Sequence, residues 1–128
     1  MSDYAFRSEL APPLVVCKQH ETLPAANSDL HTPITIVGDS GGTRCGAFEI
    51  YFSSPVGGTL KLKRVIGVVT EYETLNFGQA VTAGVPAGPQ IVTFATGETL
   101  SVIYSGESDT YYLTIADVSG DSVRQVKC

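Results

Sequence analysis

From residue 34 onward, apolar side chains recur at every second position, and no stretch of about ten residues carries the 3.6-residue period of a helix. Period two is the mark of a strand with one face buried, because successive side chains of a strand point to opposite sides. Thr59–Arg64 shows it most cleanly: Leu60 and Leu62 point one way, Lys61 and Lys63 the other. Ala47–Phe52 repeats the pattern, with Phe48, Ile50 and Phe52 on one face and Glu49 and Tyr51 on the other. Gln90–Ala95, Thr99–Tyr104 and Tyr111–Ala116 read as three further strands, joined by turns at Gly97-Glu98 and Ser105–Asp109. Sequential strands tend to lie side by side, so these three are expected to form a meander.

Shorter or less regular strands are expected at Ile34–Val37, within Val65–Phe77 around a turn or bulge at Gly67, at Gln79–Thr82, and at Val118–Val126. Gly38–Gly42, Ser53–Gly58 and Gly84–Pro89 are rich in Gly, Pro, Ser and Asp and mark loops. Phe48, Phe52, Phe77 and Phe94 are expected in the core. Residues 1–33 differ in character. Pro12-Pro13, Pro24 and Pro33 deny them helices, since proline lacks the backbone donor and holds its predecessor extended. Only Leu14–Cys17 is β-prone there, and Tyr4–Leu10 has room for a helical turn or two. The organisation predicted is a single all-β domain: an antiparallel β-sandwich at 34–128, jelly-roll-like, preceded by an extended N-terminal arm at 1–33. A small closed barrel obeys the same pattern.

The charge balance narrows the partners. Eight basic against thirteen acidic residues give a net charge of -5, and the densest basic group is Lys61, Lys63 and Arg64. Nucleic-acid backbones need several phosphates neutralised together, so nucleic acid is not an expected partner. No apolar run is long enough to cross a membrane as a helix, so membrane insertion is not expected either. Met1-Ser2-Asp3-Tyr4 lacks the basic and apolar regions of a secretory leader. The expected setting is a virion or assembled extracellular particle whose parts are made in the cytoplasm. Of the three cysteines, Cys17 and Cys45 could bridge the arm to the domain, or serve as small hydrophobes.

One string imitates a catalytic motif. Gly38-Asp39-Ser40-Gly41-Gly42 repeats the nucleophile loop of chymotrypsin-like proteases. That chemistry needs a histidine base and an orienting aspartate. The only histidines, His20 and His31, stand in no such motif, and every residue of the string is a common turn former. His20, His31, Asp29, Glu21 and Asp39 show no metal-ligand spacing, and Asp109, Asp117 and Asp121 lack the dense acidic pattern of a calcium loop. No enzyme activity, no catalytic residue, no metal and no cofactor is therefore expected. The residues singled out for contact with a ligand or neighbour are Tyr111 and Tyr112. They are adjacent in a strand, so one faces inward and the other offers its ring to the surface.

The stretches Gly58–Arg64 and Thr82–Ala116 resemble small β-sandwich modules of bacteriophage virions. The shared character lies in Gly-Gly-Thr-Leu-Lys-Leu-Lys-Arg, Val-Thr-Ala-Gly, Ile-Val-Thr-Phe, Glu-Thr-Leu-Ser-Val-Ile-Tyr-Ser-Gly and Tyr-Tyr-Leu-Thr-Ile. The resemblance covers about half the chain and carries over no functional residue. It implies a capsid decoration or fibre/tail accessory protein that forms a homotrimer or another symmetric oligomer, lacks catalysis, and uses an N-terminal arm to grip a neighbour. Low charge and the arm lead to the same expectation of self-association within a larger assembly. The alternative is a β-sandwich module that binds carbohydrate, a glycan on Tyr111 or Tyr112, or a surface receptor.

Overall fold

The computed structural model describes residues 14–38 and 45–118. The described strands form two four-stranded antiparallel sheets stacked face to face. The first sheet runs β1 (Leu14–Thr22), β8 (Thr110–Asp117), β3 (Cys45–Ser53), β6 (Ala87–Ala95). The second runs β2 (Ile34–Thr35), β7 (Glu98–Tyr104), β4 (Leu60–Ile66), β5 (Val69–Thr74). Both sheets are open, so the fold is a sandwich and not a closed barrel.

The alternation read from the sequence builds the core. Phe48, Ile50 and Phe52 of β3 share it with Leu60 and Leu62 of β4, Leu100, Val102 and Tyr104 of β7, and Leu113 and Ile115 of β8. The stems of Lys61 and Lys63, outward on β4, stand opposite Ile103 and Ser101 of β7, which are buried although they point away from the core. Strand β7 is thus covered on both faces.

The last three strands do not form a meander. β6 and β8 lie in the first sheet, β7 in the second. Glu98 shows why the β6–β7 link cannot close a hairpin. Its side-chain carboxylate accepts the Ala95 N–H at 2.9 Å, and its backbone carbonyl accepts the Ile36 N–H at 2.9 Å. The groups a hairpin would pair are already used, and Gly97, at φ +96°, turns the chain into the other sheet. Arg64 fixes the corner by donating to Glu98 at 2.8 Å and to the Thr93 carbonyl at 3.0 Å.

Residues 14–33 belong to the sandwich and not to an arm ahead of it. β1 is the edge of the first sheet along β8, and Val16, Leu23 and Leu30 are core residues. Residues 27–36 then follow β7 as an interrupted edge strand. The short pieces at 1–13 and the strand expected at Val118–Val126 fall outside the described residues, Val118 excepted. The strand expected at Gln79–Thr82 reduces to one bridge, Gly58 with Val81. Cys45 is free and exposed, so the Cys17–Cys45 bridge is not formed, although Cys17 is disulfide-bonded.

Candidate interaction surface

β5 and β6 are neighbouring edges on one side of the sandwich, joined through a short 3-10 turn at Asn76–Gly78. Leu75, just before the turn, is buried and donates its N–H to the Leu60 carbonyl at 2.8 Å. Asn76 and Phe77 follow in the left-handed region, at φ 56° and 55°. That conformation costs an L-residue roughly 1–2 kcal/mol, and a phenylalanine side chain offers no local hydrogen bond to offset it. Surrounding polar groups impose it instead. Gln90 Oε1 accepts the Phe77 N–H at 2.8 Å, and Asn76 Oδ1 accepts the Gly88 N–H at 3.3 Å. Asn76 Nδ2 also donates to the Ala80 carbonyl at 3.2 Å.

The consequence is a rigidly presented ring: Phe77 is 69% exposed. It is not a core residue, because the left-handed turn gives Leu75 the core position and swings the next side chains outward. Tyr72 of β5 and Ile91 of β6 are also exposed, on opposite outer faces: Tyr72 stands opposite Lys63 on the second sheet and Ile91 opposite Glu49 on the first. Every residue of β5 is exposed, and its outer edge has no partner among the described residues. Glu71 and Glu73 lie opposite Arg64 and Leu62, on the inward face of this edge. Inward charges on an edge strand oppose indiscriminate strand addition. What this flank presents to solvent is therefore its side chains, Phe77 foremost. Sequence reading missed the residue because it followed the period-two pattern. The signal was Asn76 and Gly78 on either side of it, the two residue types that best tolerate a left-handed backbone.

The structure separates Tyr111 from Tyr112. Tyr111 is buried; its hydroxyl donates to the Leu30 carbonyl at 2.8 Å and its ring stacks with Phe52 at 6.1 Å. Burial, with the nearby Glu21 carboxylate, raises the phenol above its usual value. It is a strut between the sheets and cannot touch a ligand. Tyr111→Phe should cost about 1–2 kcal/mol, because the Leu30 carbonyl then loses the buried hydroxyl that donates to it. A lowered urea midpoint with unchanged slope is the expected reading; an unchanged midpoint would show the strut to be idle.

Tyr112 faces outward at 38% exposure, its ring edge-on to His20 at 5.0 Å. His20 is itself left-handed, at φ 58°, in a bulge between Gln19 and Glu21. Tyr51 lies opposite Thr114, and Tyr112 opposite Ser53, so the two tyrosines are diagonal neighbours on the outer face of the first sheet. Cys17 faces the same way, opposite Thr114.

A polar cluster bridges β7 and its edge segment. Asp29 accepts the Ser101 hydroxyl and the Lys63 ammonium, both at 2.9 Å. Burial pushes the Asp29 carboxyl upward, but the bonds from Lys63 and Ser101 outweigh it and hold the group below its usual value. His31 accepts the Val102 N–H on Nε2 at 3.0 Å and donates from Nδ1 to the Thr32 carbonyl at 2.8 Å. A serine, a histidine and an aspartate thus lie close together, yet not in a catalytic order. The Ser101 proton goes to a carboxylate, the imidazole nitrogen that could take it faces a backbone N–H, and Lys63 is paired with Asp29. No base addresses the hydroxyl, as nucleophilic catalysis requires. Among the described residues no group of three His, Cys, Asp or Glu is placed to hold a metal ion. Of Gly38–Gly42 only Gly38 is described. Compared with known proteins, the chain matches no family model, no curated protein and no solved structure.

Proposed function

We propose that this chain is a non-enzymatic structural module that assembles with copies of itself, in a virion-type particle, as a capsid decoration or fibre/tail accessory protein. The observation that carries the reading is Phe77. A large apolar ring is held in solvent by a strained turn that three side-chain hydrogen bonds enforce. Backbone strain of this kind persists only where the surroundings over-determine it, and it concentrates where a protein makes contact. An aromatic anchor entering a neighbour's surface is the usual centre of such a contact.

Other features support the same reading. The strand order 1-8-3-6 over 2-7-4-5 supports a jelly-roll-like winding, a double sheet that serves in viral capsid and lectin domains. The disulfide at Cys17 suits an assembled particle outside the reducing cytoplasm. A second reading, a glycan or receptor site, is favoured by one observation, the paired outward rings of Tyr112 and Tyr51.

Phe77→Gly tests the proposal with two opposed readouts. Glycine accepts the left-handed backbone freely, so the isolated domain should gain about 1 kcal/mol. Removing the ring should at the same time abolish self-association. A variant that associates like the parent chain would overturn the assembly role, and one that melts earlier would show that the ring is structural.

A further inference from the structure

The segment 27–36 is fastened along β7 by backbone bonds at both ends. Asn27 N–H donates to the Tyr104 carbonyl at 2.8 Å, Leu30 N–H to the Val102 carbonyl at 2.9 Å, and Ile36 N–H to the Glu98 carbonyl. β2 pairs Ile34 with Leu100 and Thr35 with Thr99. Between Leu30 and Ile34 the chain leaves β7, and the Val102 N–H takes a side chain as its acceptor, His31 Nε2. The second ring nitrogen is committed as well, donating to Thr32. Only the neutral ring protonated at Nδ1 satisfies both bonds. A second proton would sit on Nε2 and point at the Val102 N–H, in a site where His31 is buried.

The charged groups around the ring do little to accommodate that proton. Asp29, on its own segment, is already bonded to Lys63 of β4 and to Ser101 of β7. Lys18 of β1 repels a cation at His31, and β7 presents a backbone donor. Glu21 of β1 acts on Tyr111 of β8, whose hydroxyl holds Leu30 in the same segment.

We propose that His31 is a proton-operated latch: the neutral ring fastens segment 27–36 to β7, and protonation releases that segment and bares the β7 edge. The inference stands independently of the assembly reading. Its direction follows from linkage. Burial holds the folded-state His31 below its ordinary value of 6.5, although the Thr32 carbonyl and Asp29 pull the other way. As pH falls, the released state therefore takes up the proton first. The latch is complete above the ordinary histidine value and is lost as pH drops through it toward the folded one. Asp29, held low, contributes in a separate window below its ordinary 3.8.

Amide exchange measured by NMR on the intact chain at about pH 7.5 and about pH 5, corrected for intrinsic chemistry, tests the latch. The Val102 amide should lose protection about tenfold or more at the lower pH, while Leu113 in the centre of the first sheet keeps its own. His31→Gln supplies a side-chain oxygen for the same N–H without titrating, and should hold Val102 protected at both values. Equal Val102 protection at both values in the parent chain would overturn the proposal. So would a loss shared equally by Leu113, which signals global weakening. Should His31→Gln fail to fold, the ring nitrogens of the parent chain decide. A ring that gains its proton while Val102 stays protected overturns the latch; both changing together supports it.

Discussion

Phe52→Ala is expected to remove about 3–5 kcal/mol from the fold, a large share of what a domain of this size possesses. Phe52 is completely buried and lies between two tyrosines from opposite sheets, with Tyr104 at 4.6 Å and Tyr111 at 6.1 Å. Neither neighbour is free to close the cavity. Tyr104 donates its hydroxyl to the Val56 carbonyl and Tyr111 donates to Leu30, so both rings are tethered at their far ends. A cavity that cannot collapse incurs the full loss of contact as well as the lost transfer energy. Urea unfolding should show a sharply lowered midpoint. A loss under about 1 kcal/mol would mean that the sheets can close over the gap, and that the aromatic centre is softer than its geometry implies.

Gly88→Ala should be nearly as damaging, at about 3 kcal/mol, for an unrelated reason. Gly88 has φ +82°, and a Cβ there would lie 2.6 Å from the Ile50 carbonyl oxygen and 3.0 Å from the Gln90 nitrogen. Both are backbone atoms, at the place where β3 bulges between Ile50 and Phe52 opposite Ala87. They cannot yield without disturbing the ladder. Gly78→Ala is the control: φ is +80°, but a Cβ there meets nothing within 4 Å. It carries the backbone penalty alone, about 1 kcal/mol. Thermal melts should separate the two variants clearly; equal melting temperatures would show that the close approach at Gly88 relaxes.

What the sequence made legible was local. Alternation places Leu60 and Leu62 inward and Lys61 and Lys63 outward, because strand geometry ties side-chain direction to position parity. The same rule splits Tyr111 from Tyr112. The sheet to which each strand belongs is not local. β6, β7 and β8 look like a meander until Glu98 is seen spending its backbone carbonyl on Ile36, a residue far away in the chain. β1 was hidden for a similar reason: Lys18, Gln19, His20 and Glu21 do not read as a strand, yet β8 supplies their pairing. Phe77 failed because period two was extended through a turn that Asn76 and Gly78 announce. His31 could not have been understood from its neighbours at all, since its function in the fold is to accept from Val102, 71 residues on.

Sedimentation velocity over a rising concentration series of the purified chain addresses self-assembly most directly. The parent chain should pass from a one-chain species to a discrete oligomer, and Phe77→Gly should remain the one-chain species throughout. A parent chain that sediments as a single copy at every concentration would contradict the assembly role.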